Sequence, residues 1–202
     1  MKTKSIVGIG RMLLVLTLSL LLGTLPTGCK KGEDARPAEN AITSYLSAEN
    51  TITSGTRSSG PWELGVVFST SVAGKITQVG SKMPDPGSYR IIIWDFDTKQ
   101  LLRQKTVEQS SPAALTLDGL DALPVVANKK YVISLNSQSA GVNKKYAYAA
   151  KAGVAELMPF TKGTILVYNA CYSGVATATF PGSVQNVKYE LYGYPEFTFV
   201  AD

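Results

Sequence analysis

Three tyrosines in the last third of the chain lie beside glycines. Tyr172, Tyr192 and Tyr194 are each within two residues of a glycine. Glycine allows a tight turn, and a ring beside it can be left exposed in a loop. An exposed ring can stack on the C–H face of a sugar, while Asn169 or Asn186 can hydrogen-bond its hydroxyl groups. These five residues form a candidate ligand site. The alternative is that the rings only pack against the end of the domain.

Two pairs of aspartates and Cys171 are the other side chains that could do chemistry. Asp95 with Asp97, and Asp118 with Asp121, could ligate Ca²⁺ or serve as the carboxylates of a glycosidase. Aspartate at this spacing is also favoured in turns, where it accepts backbone N–H groups, and we favour the turn. Cys171 would need a base to act as a nucleophile, and the chain contains no histidine. The sequence therefore predicts no catalytic residue, no metal site and no cofactor, with Cys171 a buried thiol.

The first 28 residues have the pattern of a secretion signal. Lys2, Lys4 and Arg11 form a positive start, and residues 12–22 are almost entirely apolar. That run is shorter than the about 20 residues that a membrane-spanning helix needs. Without these three basic residues, 17 Lys and Arg face 15 acidic residues, so the mature chain is near +2. The remaining basic residues are scattered, which argues against nucleic-acid binding.

Residues 25–28 together with Cys29 resemble the lipobox of bacterial lipoproteins. A small residue precedes the cysteine in that motif; Gly28 stands there, whereas Pro26 departs from the usual Leu. The resemblance implies that Cys29 is acylated and anchors the chain to the lipid bilayer, at about 0.8 kcal/mol per buried methylene. The alternative is a signal peptide cut elsewhere, with Cys29 an ordinary thiol. Residues 30–34 resemble short lipoprotein export signals, which implies a lipid-anchored place in the outer membrane, facing the cell surface.

Composition divides the chain into three parts. Residues 1–28 are the signal, residues 29–58 the lipidated cysteine with a flexible tether, and residues 59–202 the globular domain. The tether is rich in Ser, Thr, Ala, Glu and Asn. We expect it to pair one strand near Ile52 with the domain, and a short helix over residues 38–46 is compatible with its pattern.

The domain consists of short apolar or alternating runs separated by Gly, Pro, Asn and Asp. The runs are residues 62–68, 72–79, 89–94, 101–107, 114–117, 131–135, 145–149, 164–168, 187–192 and 196–200. No amphipathic helix lies between them. This pattern predicts an all-β fold, a two-sheet antiparallel β-sandwich of jelly-roll-like size.

The order of several blocks resembles a bacterial domain family of unknown function. The blocks are residues 62–68 with 72–77, residues 87–95 with 101–102, residues 124–125 with 131–132, and residues 180–181 with 197–199. Members of that family are jelly-roll-like sandwiches, often beside Ig-like repeats in secreted, carbohydrate-associated proteins. The resemblance therefore implies a glycan-related role. The chain departs from the family at residues 142–144 and 194–196. If the family's ligand uses those positions, this chain binds something else or nothing.

Two classes of function fit these observations. The first is a non-catalytic binding or adhesion module on the cell envelope, with a glycan as the preferred ligand. The alternative is a structural or assembly lipoprotein whose partner is another envelope protein. An enzyme ranks third, because the sequence offers no histidine and no clustered acids.

Overall fold

The computed structural model describes residues 36–202. This part of the chain contains one helix of eight residues, fifteen strands and one 3-10 turn. In chain order the elements are α1 (Ala41–Ala48), β1 (Ile52–Arg57), β2 (Glu63–Thr70), β3 (Gly74–Ser81), β4 (Gly87–Asp95), β5 (Leu101–Gln109), β6 (Thr116–Val125), β7 (Tyr131–Asn136), β8 (Gln138–Ser139), β9 (Val142–Asn143), β10 (Tyr146–Lys151), the 3-10 turn (Ala152–Val154), β11 (Phe160–Lys162), β12 (Ile165–Ser173), β13 (Val184–Val187), β14 (Glu190–Tyr192) and β15 (Glu196–Ala201). The expected signal and Cys29 lie outside the described residues.

Two sheets form the body of the domain. The larger sheet has seven strands, in the order β11-β12-β2-β7-β4-β5 with β13 beside β12. The smaller sheet has the order β15-β3-β6. All of these strand pairs are antiparallel. The predicted all-β fold with antiparallel sheets is therefore confirmed.

One hydrophobic core joins the two sheets. The rings of Phe68 on β2 and Phe197 on β15 have centroids 4.3 Å apart. Alternate residues of β2, namely Leu64, Val66 and Phe68, belong to this core, and Ile76 on β3 joins it from the smaller sheet. Because successive side chains of a strand point to opposite faces, only every second position of β2 contributes. Burial of this apolar surface, at about 25 cal/mol per Å², holds the sheets together.

The opposite face of the larger sheet is also covered, which explains the apolar run in β4. Ile91 and Ile93 belong to the core between the sheets, whereas Ile92 belongs to a second cluster. Phe180, from the segment after β12, packs on that second cluster with its ring centroid 6.0 Å from the ring of Trp94. A strand that is buried on both faces needs apolar residues at successive positions, and β4 meets that need.

The segment from Arg36 to β1 belongs to the same compact unit as the sandwich. The sequence predicted a flexible tether as far as residue 58, but α1 buries Ala41 and Ile42 in the core. The strand near Ile52 is found as β1, which pairs with β10. The helix covers Ala41–Ala48 rather than residues 38–46. Among the described residues, no helix has the length and apolar character to cross a membrane.

Two glutamates attach this segment to the domain, and composition alone did not reveal them. Glu196 is fully buried, and its carboxylate accepts hydrogen bonds from the backbone N–H and the hydroxyl of Thr43 at 2.6 and 2.7 Å. Glu39 accepts two bonds from Thr164 at 2.7 Å each, and its backbone N–H and C=O bond to Phe199. Desolvation raises the pKa of Glu196, and the bonds from Thr43 oppose that shift. A polar segment is thus ordered by specific hydrogen bonds rather than by a long apolar stripe.

Candidate functional site

A cleft of about 180 Å³ lies where a third sheet, in the order β1-β10-β14, meets the beginning of β2 and the end of β12. We call it the aromatic cleft. Its lining residues are Arg57, Ser59, Trp62, Leu64, Tyr146, Tyr172 and Tyr192. They come from β1, β2, β10, β12, β14 and the connection between β1 and β2. Loops and strand ends of a sandwich are where such scaffolds commonly carry binding sites.

Four aromatic rings form the walls of the aromatic cleft. The ring centroids of Trp62 and Tyr172 are 5.5 Å apart at an interplanar angle of 82°. Tyr172 and Tyr192 are 5.9 Å apart at 84°, and Tyr146 and Tyr192 are 6.3 Å apart at 83°. Such edge-to-face pairs are favourable because of the ring quadrupole. Leu64, which is 2% exposed, closes the apolar side of the cleft.

A charged pair stands at the rim of the aromatic cleft. The guanidinium Nη2 of Arg57 donates to both carboxylate oxygens of Glu190, at 2.7 and 3.0 Å. The hydroxyl of Tyr192 donates to the same carboxylate at 2.6 Å. Burial, and then this hydrogen bond to Glu190, raise the pKa of Tyr192, so its hydroxyl stays protonated and acts as a donor. The Arg57 guanidinium also lies 4.6 Å from the ring centroid of Tyr148, a cation–π distance.

Hydrogen bonds hold the walls in place before any ligand binds. The indole N–H of Trp62 donates to the hydroxyl of Ser59 at 3.1 Å, and that hydroxyl lies 3.1 Å from the hydroxyl of Tyr146. The backbone of Trp62 is bonded to Ser137 in both directions: its N–H donates to the serine hydroxyl, and its C=O accepts the serine N–H. A site with fixed walls loses less entropy when it binds a ligand.

The structure brings together two of the five residues that the sequence singled out. Tyr172 and Tyr192 line the aromatic cleft. Tyr194 is 8% exposed, and its hydroxyl donates to the carbonyl of Tyr148 at 2.8 Å. Burial raises the pKa of Tyr194 to about 12, so its hydroxyl is a structural donor.

The two asparagines lie away from the aromatic cleft. Asn169 is buried in β12 and bonds to the carbonyl of Ala170. Asn186 is exposed in β13 at a φ of 61°, a left-handed conformation that asparagine tolerates. Neither side chain is among the residues that line the cleft.

Sequence reasoning missed five lining residues: Arg57, Ser59, Trp62, Leu64 and Tyr146. Arg57 lies in the stretch that was expected to be a tether, and Ser59 directly follows it. Trp62 directly follows Gly60-Pro61, which is the sequence signal for an aromatic at the start of a strand, and the structure leaves its side chain half-buried. The alternation of tyrosine and alanine in β10 was visible, but not which face it would present.

Asp95 and the thiol of Cys171 make structural contacts, whereas Asp118 and Asp121 lie within strand β6 and not in the turn that the sequence favours. Asp95 accepts the backbone N–H groups of Asp97 at 3.0 Å and Thr98 at 2.9 Å, and pairs with Lys129. This geometry is the turn that the sequence favours. Cys171 is 1% exposed on β12, and burial raises the pKa of its thiol to about 12. Residues 36–202 contain no group of three or more Cys, Asp and Glu arranged to hold a metal ion.

Comparison with known proteins adds no relative to this chain. No protein-family model matches it, and no curated protein matches it. The resemblance to lipoproteins and to a family of sandwich domains stays a prediction.

Proposed function

We propose that this protein is a cell-envelope lipoprotein whose β-sandwich binds glycans without catalysis, through the aromatic cleft. The N-terminal sequence supports the anchor: a positive start, an apolar run and a small residue precede Cys29. The aromatic cleft supports the binding role. The chain lies in the outer membrane, with its sandwich facing the medium.

The observation that carries the glycan proposal is the combination of rings with a charged pair. The half-buried rings of Trp62, Tyr172 and Tyr192 border open space, and a sugar presents a face of C–H bonds to such rings. Sugar hydroxyls need hydrogen-bond partners at the edge of the ring plane. Arg57 and Glu190 stand at that rim and offer donors and an acceptor.

The arrangement does not support hydrolysis. A glycosidase needs two carboxyl groups about 5–10 Å apart that flank the scissile bond. Glu190 is the carboxylate at the rim of the aromatic cleft, and both of its oxygens accept bonds from Arg57. The residues that line the aromatic cleft include no Asp or Glu.

A glycan array probed with the purified protein, followed by calorimetric titration of the sugars that bind, tests the proposal. Replacing Tyr172 by Ala removes one wall and should weaken binding about five- to twelve-fold, which corresponds to about 1–1.5 kcal/mol. Tyr194→Ala is the matched control, because Tyr194 lies outside the cleft. That variant should lower the melting temperature and leave the affinity unchanged. Equal affinity of both variants and the wild type would place the sugar site elsewhere.

One observation favours the alternative, an assembly lipoprotein that binds another envelope protein. Strand β1 lies at the edge of its sheet, with β10 on one side and no strand of residues 36–202 on the other. Grooves beside it are lined in part by Ser54, Thr56, Lys82 and Tyr194. An unpaired strand edge can bind an extended segment of another chain.

A photocrosslinking amino acid placed at Thr56 in the living cell tests this alternative. Val142, which is exposed elsewhere on the surface, is the matched control position. The alternative predicts a blank glycan array and a defined envelope protein that crosslinks at position 56 and not at position 142. Sugar binding without such a crosslink favours the glycan proposal.

A further inference from the structure

We infer that the aromatic cleft accepts one uncharged sugar residue at the end of a glycan chain, rather than an internal stretch of the chain. This inference rests on the proposed function and names the ligand class of the same site. It follows from the shape of the walls, from the fixed position of Trp62 and from the charge balance at the rim.

The aromatic rings that form the walls stand nearly perpendicular to their neighbours and do not lie side by side along a groove. Trp62, Tyr172, Tyr192 and Tyr146 follow one another with interplanar angles of 82°, 84° and 83°. A chain that crosses a binding surface needs rings that lie side by side along its path. Rings at right angles instead surround a single residue on successive sides. The cleft of about 180 Å³ is also smaller than the roughly 300–1,000 Å³ that enclose drug-sized ligands.

The ends of the cleft are fixed, so it cannot open into a groove without losing protein hydrogen bonds. Trp62 is bonded to Ser137 through its N–H and its C=O, at 2.9 and 2.8 Å. At the other end, the N–H of Gly193 bonds to the carbonyl of Ala147 at 2.8 Å and holds the strand of Tyr192. Gly193 has a φ of 74°, and a Cβ there would lie 2.7 Å from the side chain of Leu135. This close approach keeps β14 against the sandwich.

The rim favours an uncharged sugar because its two charges cancel. Glu190 is paired with Arg57 at 2.7 Å, and Arg57 is the charged residue that lines the cleft. Because the pair has little net charge, an acidic or cationic sugar gains little net attraction there to offset the cost of removing its charge from water. Both bonds of Arg57 to Glu190 come from Nη2. A guanidinium carries five N–H donors, so donors of Arg57 other than those bonded to Glu190 can reach sugar hydroxyls.

Calorimetric titration with paired sugars tests the inference on the purified protein. The probes are the methyl glycosides of glucose, galactose, mannose and N-acetylglucosamine, and linear trisaccharides that end in each of them. We expect one methyl glycoside to bind within about fivefold of its own trisaccharide. An affinity that rises about tenfold or more with each added residue would overturn the terminal-residue inference and leave the glycan proposal standing. Binding of no sugar at all would overturn both.

The charge argument has its own test in Glu190→Gln. Glutamine keeps the shape of the side chain and removes its charge, so Arg57 loses its ionic partner. We expect the wild type to prefer the methyl glycoside of a neutral hexose over the corresponding methyl uronide. The variant should shift that preference toward the uronide by about tenfold, since a charge-assisted hydrogen bond to Arg57 becomes available. A wild type that already prefers the uronide, or a variant with unchanged preference, would contradict the uncharged class.

Discussion

Replacing Ile42 by Ala tests whether the segment before β1 is part of the domain. Ile42 is 0% exposed and lies in the main core cluster. Truncation of a buried isoleucine to alanine costs about 2–5 kcal/mol, from lost transfer free energy and the cavity left behind. Alanine has a higher helix propensity than isoleucine, and this difference offsets about 0.5 kcal/mol of the loss. We therefore expect the free energy of unfolding to fall by about 3 kcal/mol.

Thermal and urea unfolding of the purified protein, followed by circular dichroism, measures this loss. For a domain of this size each kcal/mol shifts the melting temperature by about 2–4 °C, so Ile42→Ala should lower it by roughly 6–12 °C. Ser47→Ala is the matched control, since Ser47 is exposed on the same helix; it should change stability by at most about 0.5 kcal/mol. If both variants have the same melting temperature as the wild type, the helix is not packed on the sandwich and our reasoning is refuted.

Three further outcomes are expected. Gly80→Ala should lower the free energy of unfolding in urea by more than about 3 kcal/mol, because its Cβ would lie 1.8 Å from the carbonyl oxygen of Thr116. Gly119→Ala is the control, since a Cβ there would meet no atom within 4 Å, and it should cost less than about 1 kcal/mol. Equal losses for the two variants would contradict this prediction. Hydrogen bonds from Lys129 lower the pKa of Asp95 from 3.8 to about 2, so the stability that its charge contributes is present above about pH 4 and is lost as the pH falls through 2. The difference in free energy of unfolding between the wild type and Asp95→Asn should shrink as the pH falls from about 4 to about 2. A difference that stays constant over this range would contradict the prediction. Cys29→Ser should abolish labelling by an alkyne fatty acid and release the protein from the membrane fraction, whereas equal labelling of variant and wild type would end the lipoprotein proposal.

The strands could be predicted because their signals are local. Alternation and β-branched runs placed β2, β4, β5, β7 and β15 within a few residues of their observed bounds. The prediction was wrong where two short strands share one run. The predicted run 187–192 contains only the last residue of β13, which pairs with β12, and then β14 (Glu190–Tyr192), which pairs with β10. A periodic run of six residues does not specify which neighbouring strand each part of the run will pair with.

The sequence by itself determined the all-β fold and the long apolar run of β4, and it contains no histidine. These follow from composition and from the period of two, which each strand carries within its own residues. Only the tertiary structure decided which tyrosines share a cleft. Arg57, Trp62, Tyr146, Tyr172 and Tyr192 come from distant parts of the chain, and their proximity depends on the register of several antiparallel pairs. Register is set by the packing of the whole sheet, so no short stretch of sequence contains it.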